Sequence, residues 1–204
     1  RLACACLPDA DAALAQLAED YITQDYEHEP GRAPTPEVVS RMFGRAIEAR
    51  LGPRATEILG HPVRRLHVFT SHGRHLLARE SRWRTPLGYA GAFLSNAVSR
   101  PAMGLWLERV VFSDPRDALP VPLDDYRSRQ VALQPGNLCP SVLASCSIPF
   151  WLRAVHDIPG APPGAYWDGG ITDYHLHLRY AALGEGLVLY PHFQAQVARL
   201  PGLV

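Results

Sequence analysis

An α/β fold with a central, largely parallel sheet covered on both faces is the architecture this sequence predicts, and three observations predict it. Short β-branched and aromatic runs recur at residues 64–70, 106–112, 126–133 and 186–190, each closed by a Ser, Asp, Gly or Pro turn signal. Stretches with apolar residues at helical spacing lie between or before them, and strand–helix alternation favours parallel pairing. No internal repeat, low-complexity tract or linker divides the 204 residues, a length sufficient for one domain with a substantial core. Residues 1–204 are therefore expected to form a single domain.

The elements follow in order. Pro8-Asp9-Ala10-Asp11 opens a first helix with an Asp cap, and Leu14, Leu17, Ala18, Tyr21 and Ile22 form its apolar face, which is read as core. Gln24 to Ala33 is a polar loop. Thr35-Pro36-Glu37 starts a second helix, whose stripe runs Val38/Val39, Met42/Phe43, Ala46/Ile47 until Gly52-Pro53 stops it. Arg64 to Thr70 reads as a strand ending in the turn Ser71-His72-Gly73, and a helix rich in small residues follows around Leu87 to Val98. Trp106 to Phe112 and Tyr126 to Leu133 are further strands. Asn137 caps a short helix with Leu138, Val142 and Leu143 inward, and Gly186 to Tyr190 is a last strand ended by Pro191.

Composition narrows the function classes. Formal charge is zero, so the electrostatic footprint that nucleic acid or an anionic membrane would demand is missing, and no nucleic-acid partner is expected. All 20 basic residues are Arg, which removes Schiff-base chemistry and a P-loop lysine. The pairs Arg64/Arg65 and Arg82/Arg84 are read as solvated, and Trp83, Trp106, Trp151 and Trp167 as core or rim. Cys4, Cys6, Cys139 and Cys146 have no zinc-site spacing; reduced thiols in a cytoplasmic protein are the reading. No run of about 18 apolar residues suggests a membrane span.

The stretch that carries chemistry runs from Ala144 to His177. Ala144-Ser145-Cys146-Ser147-Ile148-Pro149-Phe150 leads through a Pro/Gly-rich connection to Tyr166-Trp167-Asp168-Gly169-Gly170-Ile171-Thr172-Asp173. A carboxylate followed by two glycines reads as a strand end entering a tight turn. Glycine permits φ > 0 and a close backbone approach, so Asp168 could be fixed with little steric cover, as an acid or base requires. Gly169 and Gly170 are read as turn-forming.

These two segments together resemble the C-terminal half of the patatin-like phospholipase family. The resemblance implies a three-layer sandwich and a lipid acyl hydrolase with a Ser–Asp dyad, in which Asp168 is the base. It implies a lipid or other ester substrate and no cofactor, and it leaves room for transient contact with a membrane surface. In that family the nucleophile elbow and the oxyanion loop precede the segments seen here. No Gly-x-Ser-x-Gly occurs in the chain, and Arg1-Leu2-Ala3-Cys4-Ala5 resembles the helix that follows the elbow. The domain is therefore expected to be incomplete at its N-terminus, with its serine upstream of Arg1. Tyr174-His175-Leu176 departs from the family's usual continuation after Asp173. Ser145, Cys146 and Ser147 lack an elbow and are read as structural.

One constellation competes. On a strand, His175 and His177 would share a face, and with Asp173 they could form a two-His-one-carboxylate metal centre, which His192 from the later strand could supplement. The remaining reading is a catalytically silent relative that acts as a binding module.

Overall fold

The computed structural model describes residues 1–28, 30–173, 178–180, 187 and 189. The expected strand at 186–190 lies largely outside the described residues, as do His175, His177 and His192.

Chain order begins with a short helix α1 (Leu2–Ala5) and α2 (Ala10–Ile22). Asp9 sits at the N-cap of α2 but does not cap it. Its carboxylate is taken by the Arg54 guanidinium, at 3.0 and 2.5 Å. Leu14 and Leu17 pack on the core as expected, whereas Tyr21 and Ile22 are exposed, because nothing among the described residues covers the last turn. Helix α3 (Pro36–Leu51) starts where the Thr35-Pro36-Glu37 signal places it; Thr35 Oγ1 accepts the Val38 amide. Gly52-Pro53 does not end the helical path. One 3₁₀ turn leads into α4 (Ala55–Gly60).

Strand β1 (His67–Gly73) absorbs Ser71-His72-Gly73, which the sequence presented as a turn. Helices α5 (Arg84–Val98) and α6 (Arg100–Met103) follow, then β2 (Leu107–Ser113), every residue of which is buried. The edge strand β3 (Ser128–Ala132) precedes α7 (Pro135–Ala144). Gln134, not Asn137, is the N-cap of α7; Asn137 closes a capping box from the third helical position, its Oδ1 accepting the Gln134 amide at 2.8 Å. The two-residue β4 (Val155–His156) was not legible in sequence. It leads to β5 (Ala165–Asp168) and the single turn α8 (Gly170–Asp173).

Among the described residues five strands form one open sheet in the order β3-β2-β1-β5-β4, with helices on both faces. The α/β character is as expected, but the pairing is not. Only β2–β3 is parallel; β1–β2, β1–β5 and β4–β5 are antiparallel. Gly73 pairs with Leu107, and the Arg74 amide donates to the Trp106 carbonyl at 2.8 Å. Residues 74–106 are thus a helical excursion inside a hairpin, leaving and re-entering the sheet at one end. An alternation of strand and helix looks the same in sequence whether the helix crosses the sheet or returns to its starting end.

Register sorts the side chains into two layers. Residues directly opposite in an antiparallel pair share a face. Val68, Phe112, Val110 and Tyr166 enter the larger core with α1, α3, α4 and α7, around Leu7, Ile58 and Leu138. On the other face Leu107 joins Leu77, Ala92, Met103 and Tyr126 beneath α5 and α6.

Candidate active site

Asp168 ends the interior strand β5, opposite Thr70 of β1. Its backbone is pinned from two sides. The Asp168 amide donates to the Ser147 carbonyl at 3.0 Å, and the Ser71 hydroxyl donates to the Asp168 carbonyl at 2.9 Å. The first bond joins the two halves of the motif: the chain leaving α7 docks on the strand that delivers the carboxylate. Ser147 is buried and gives its hydroxyl to the Leu143 carbonyl, and Ser145 caps the C-terminus of α7, so neither is poised as a nucleophile.

The carboxylate is partly buried and accepts one amide, from Gly170 to Oδ1 at 2.6 Å. Burial pushes it above its ordinary value, and the Gly170 amide opposes this. No guanidinium reaches it among the described residues, in contrast to the buried acids Glu108, Asp114 and Asp173, each within ion-pair reach of arginine. Neither glycine takes a positive φ. Gly169 is required for proximity: a Cβ there would lie 2.4 Å from the Phe69 carbonyl oxygen. Gly170 supplies the amide and opens α8 in place of the expected tight turn.

Two neighbours feel the Asp168 charge. Cys146 is exposed, yet its thiol is pushed up, first by the protein packed about it and then by Asp168. Tyr89 of α5 lies edge-on to Trp167 and to Phe150, each at 5.8 Å between ring centroids. Burial, with Glu80 and Asp168, holds its phenol far up, so it remains protonated; its oxygen is buried with no hydrogen-bond partner among the described residues. Sequence reasoning missed Tyr89, which in α5 looks like any aromatic of a helix stripe.

Asp173 serves a different purpose. It is the end of a helical turn, not part of a strand, and both its oxygens are taken. Arg109 Nε and Nη2 donate to it at 2.7 and 2.5 Å, and Arg100 Nη2 at 3.1 Å. Arg109 is fully buried and also bonds Asp125 at 2.9 Å. A signal for this cluster was present in the sequence. Glu108-Arg109 interrupts an otherwise apolar strand, and a charge in such a place demands a partner. Among the described residues no group of three His, Cys, Asp or Glu could hold a metal ion.

Comparison with protein-family models, with curated proteins and with solved structures gave no match to this chain.

Proposed function

We propose that this polypeptide contributes the general base, Asp168, to a serine-dependent acyl hydrolase acting on a lipid or related ester. The observation that carries the reading is a raised, partly buried carboxylate without a cationic partner among the described residues, at the point where two chain segments meet. Unpaired and desolvated, such a carboxylate gains basicity toward neutral pH. No Gly-x-Ser-x-Gly elbow lies within residues 1–204, so the attacking hydroxyl comes from a serine outside them.

In the reaction Asp168 takes the serine proton as the oxygen attacks the ester carbonyl, then passes it to the departing alcohol. An acyl-serine remains. Asp168 next takes a proton from water, whose oxygen attacks the acyl carbon, and returns it to the serine as the acid leaves. No cofactor enters these steps.

The test uses a longer chain that includes the serine. It should hydrolyse a p-nitrophenyl ester, react with an organophosphonate and ignore a chelator, while residues 1–204 alone show no turnover. Asp168→Ala should lower the rate by at least about 100-fold, the scale of general-base loss. Full activity in Asp168→Ala removes the assignment.

A further inference from the structure

Helix α5 carries an apolar face on its outer side. Leu87, Phe93, Leu94 and Val98 are exposed, Phe93 by 74% and Val98 by 85%, and the exposed positions between them, Ala90 and Ala97, are apolar too. A solvated helix would place charges there. The face continues past Tyr89 onto Phe150, which is held at φ 70° and is itself exposed, with Trp151 beside it. A bulky side chain in the left-handed region is strained, and strain of this kind gathers at functional surfaces. Glu80 fastens this loop to the start of α5 by binding Arg153 at 2.9 Å and the Ala154 amide at 3.1 Å.

Charge distinguishes the occupants of such a face. Residues 81–107 contain no Asp or Glu. At the head of α5, Arg79, Arg82 and Arg84 are exposed and form no ion pair with any described residue, and Trp83 stands between two of them. The zero net charge of the chain conceals this local excess. Unpaired guanidinium groups flanking the exposed Trp83 and an acid-free apolar helix match an anionic bilayer, where arginine meets phosphate and indole sits at the headgroup level.

We infer that α5 and the Phe150–Trp151 loop form a docking face for an anionic phospholipid bilayer, seated beside Asp168. This deepens the acyl-hydrolase reading and rests on it for its purpose: the face would bring the carboxylate to the surface from which a lipid ester is drawn. Binding and hydrolysis are separable, and the experiment keeps them so.

Vesicle co-sedimentation with indole fluorescence provides the test, using phosphatidylcholine vesicles and phosphatidylcholine–phosphatidylserine vesicles. The protein should bind the mixed vesicles with a blue shift, and more weakly in high salt. Arg82→Ser with Arg84→Ser should weaken that binding about fivefold per arginine. Ala90→Glu, a helix-compatible change on an exposed position, should abolish it with the circular dichroism spectrum unchanged. Asp168→Asn should bind as the unaltered protein does, so a failure of the catalytic assignment leaves this result standing. Absence of binding to mixed vesicles by the folded protein overturns the inference. So does a dimer in solution that Ala90→Glu converts to monomer, since a second copy would then be the occupant.

Discussion

Burial and, after it, the Asp168 carboxylate raise the Cys146 thiol, although 22 positions separate Asp168 from Cys146 in the chain. The bond from the Asp168 amide to the Ser147 carbonyl brings them together, and the thiol in turn reports on the carboxylate. Cys146 is the one exposed cysteine of the four, so an alkylating reagent selects it over Cys4, Cys6 and Cys139.

The first prediction uses that reporter. Only the thiolate reacts, and both burial and the neighbouring charge hold Cys146 in the thiol form. Iodoacetamide should modify it slowly at mildly alkaline pH. Asp168→Asn removes the charge and should quicken the modification, with the pH–rate curve displaced toward lower pH. Mass spectrometry of the modified peptide measures this directly, and identical curves for the two proteins would mean that the groups are not coupled.

The second concerns stability and its sign. Folded Asp168 holds its proton more tightly than the unfolded chain does, because burial disfavours the charge. Its contribution is therefore fully present below the ordinary carboxylate pKa and is lost as pH rises through the raised folded value. At neutral pH the ionised group opposes folding. Asp168→Asn should accordingly melt at higher temperature than the unaltered protein at neutral pH, with the gap narrowing in acid. A variant that gains stability while losing hydrolysis is the pattern of a group kept for chemistry. A neutral-pH melting temperature lower than that of the unaltered protein would contradict it.

Much of this was legible in the sequence, and the rest was not, for physical reasons. Helix α3 announced itself through Thr35-Pro36-Glu37, since caps act locally and leave a local trace. The placement of Asp168 at a strand end was legible because the strand end and the Gly169–Gly170 step are consecutive. The direction of β2 was not readable: Gly73 meets Leu107 only because α5 and α6 fold back, and that depends on tertiary packing. Tyr21 and Ile22 misled for a related reason. Spacing defines a helix face but not how far the core extends beneath it. The exposed side of α5 escaped the same way, since an apolar face open to water and one facing a core share a single pattern.

The third prediction tests the close approach behind Asp168. At Gly169 an added Cβ would meet the carbonyl oxygen and carbon of Phe69 at 2.4 and 2.8 Å, and these are backbone atoms that no rotamer change can move. Gly169→Ala must push β5 away from β1 or displace the strand end. A cost of about 1–3 kcal/mol in chemical denaturation is expected, the range for overpacking. The Cys146 reporter should also change, because the carboxylate moves with the strand. An unaltered midpoint and an unaltered alkylation curve would show that the site tolerates a side chain there.

The fourth separates a structural carboxylate from a metal ligand. Asp173 and Arg109 are almost wholly inaccessible, with side-chain exposures of 3% and 0%, so each is a buried charge held chiefly by the other, with Arg100 and Asp125 as flanking partners. Removing one member leaves the other desolvated. Asp173→Asn should cost about 3–5 kcal/mol in denaturant unfolding, the scale for breaking a buried pair. Arg109→Lys should recover little, since an ammonium cannot reproduce the two-pronged contact through Nε and Nη2 or reach Asp125 at the same time. Arg109→Met combined with Asp173→Leu should lose less than the two single losses summed, because no uncompensated charge then remains between them. A metal ligand behaves otherwise: a chelator would reproduce the Asp173→Asn loss in the unaltered protein, and the Arg109 changes would not couple to it. Unfolding curves measured with and without chelator decide between the two.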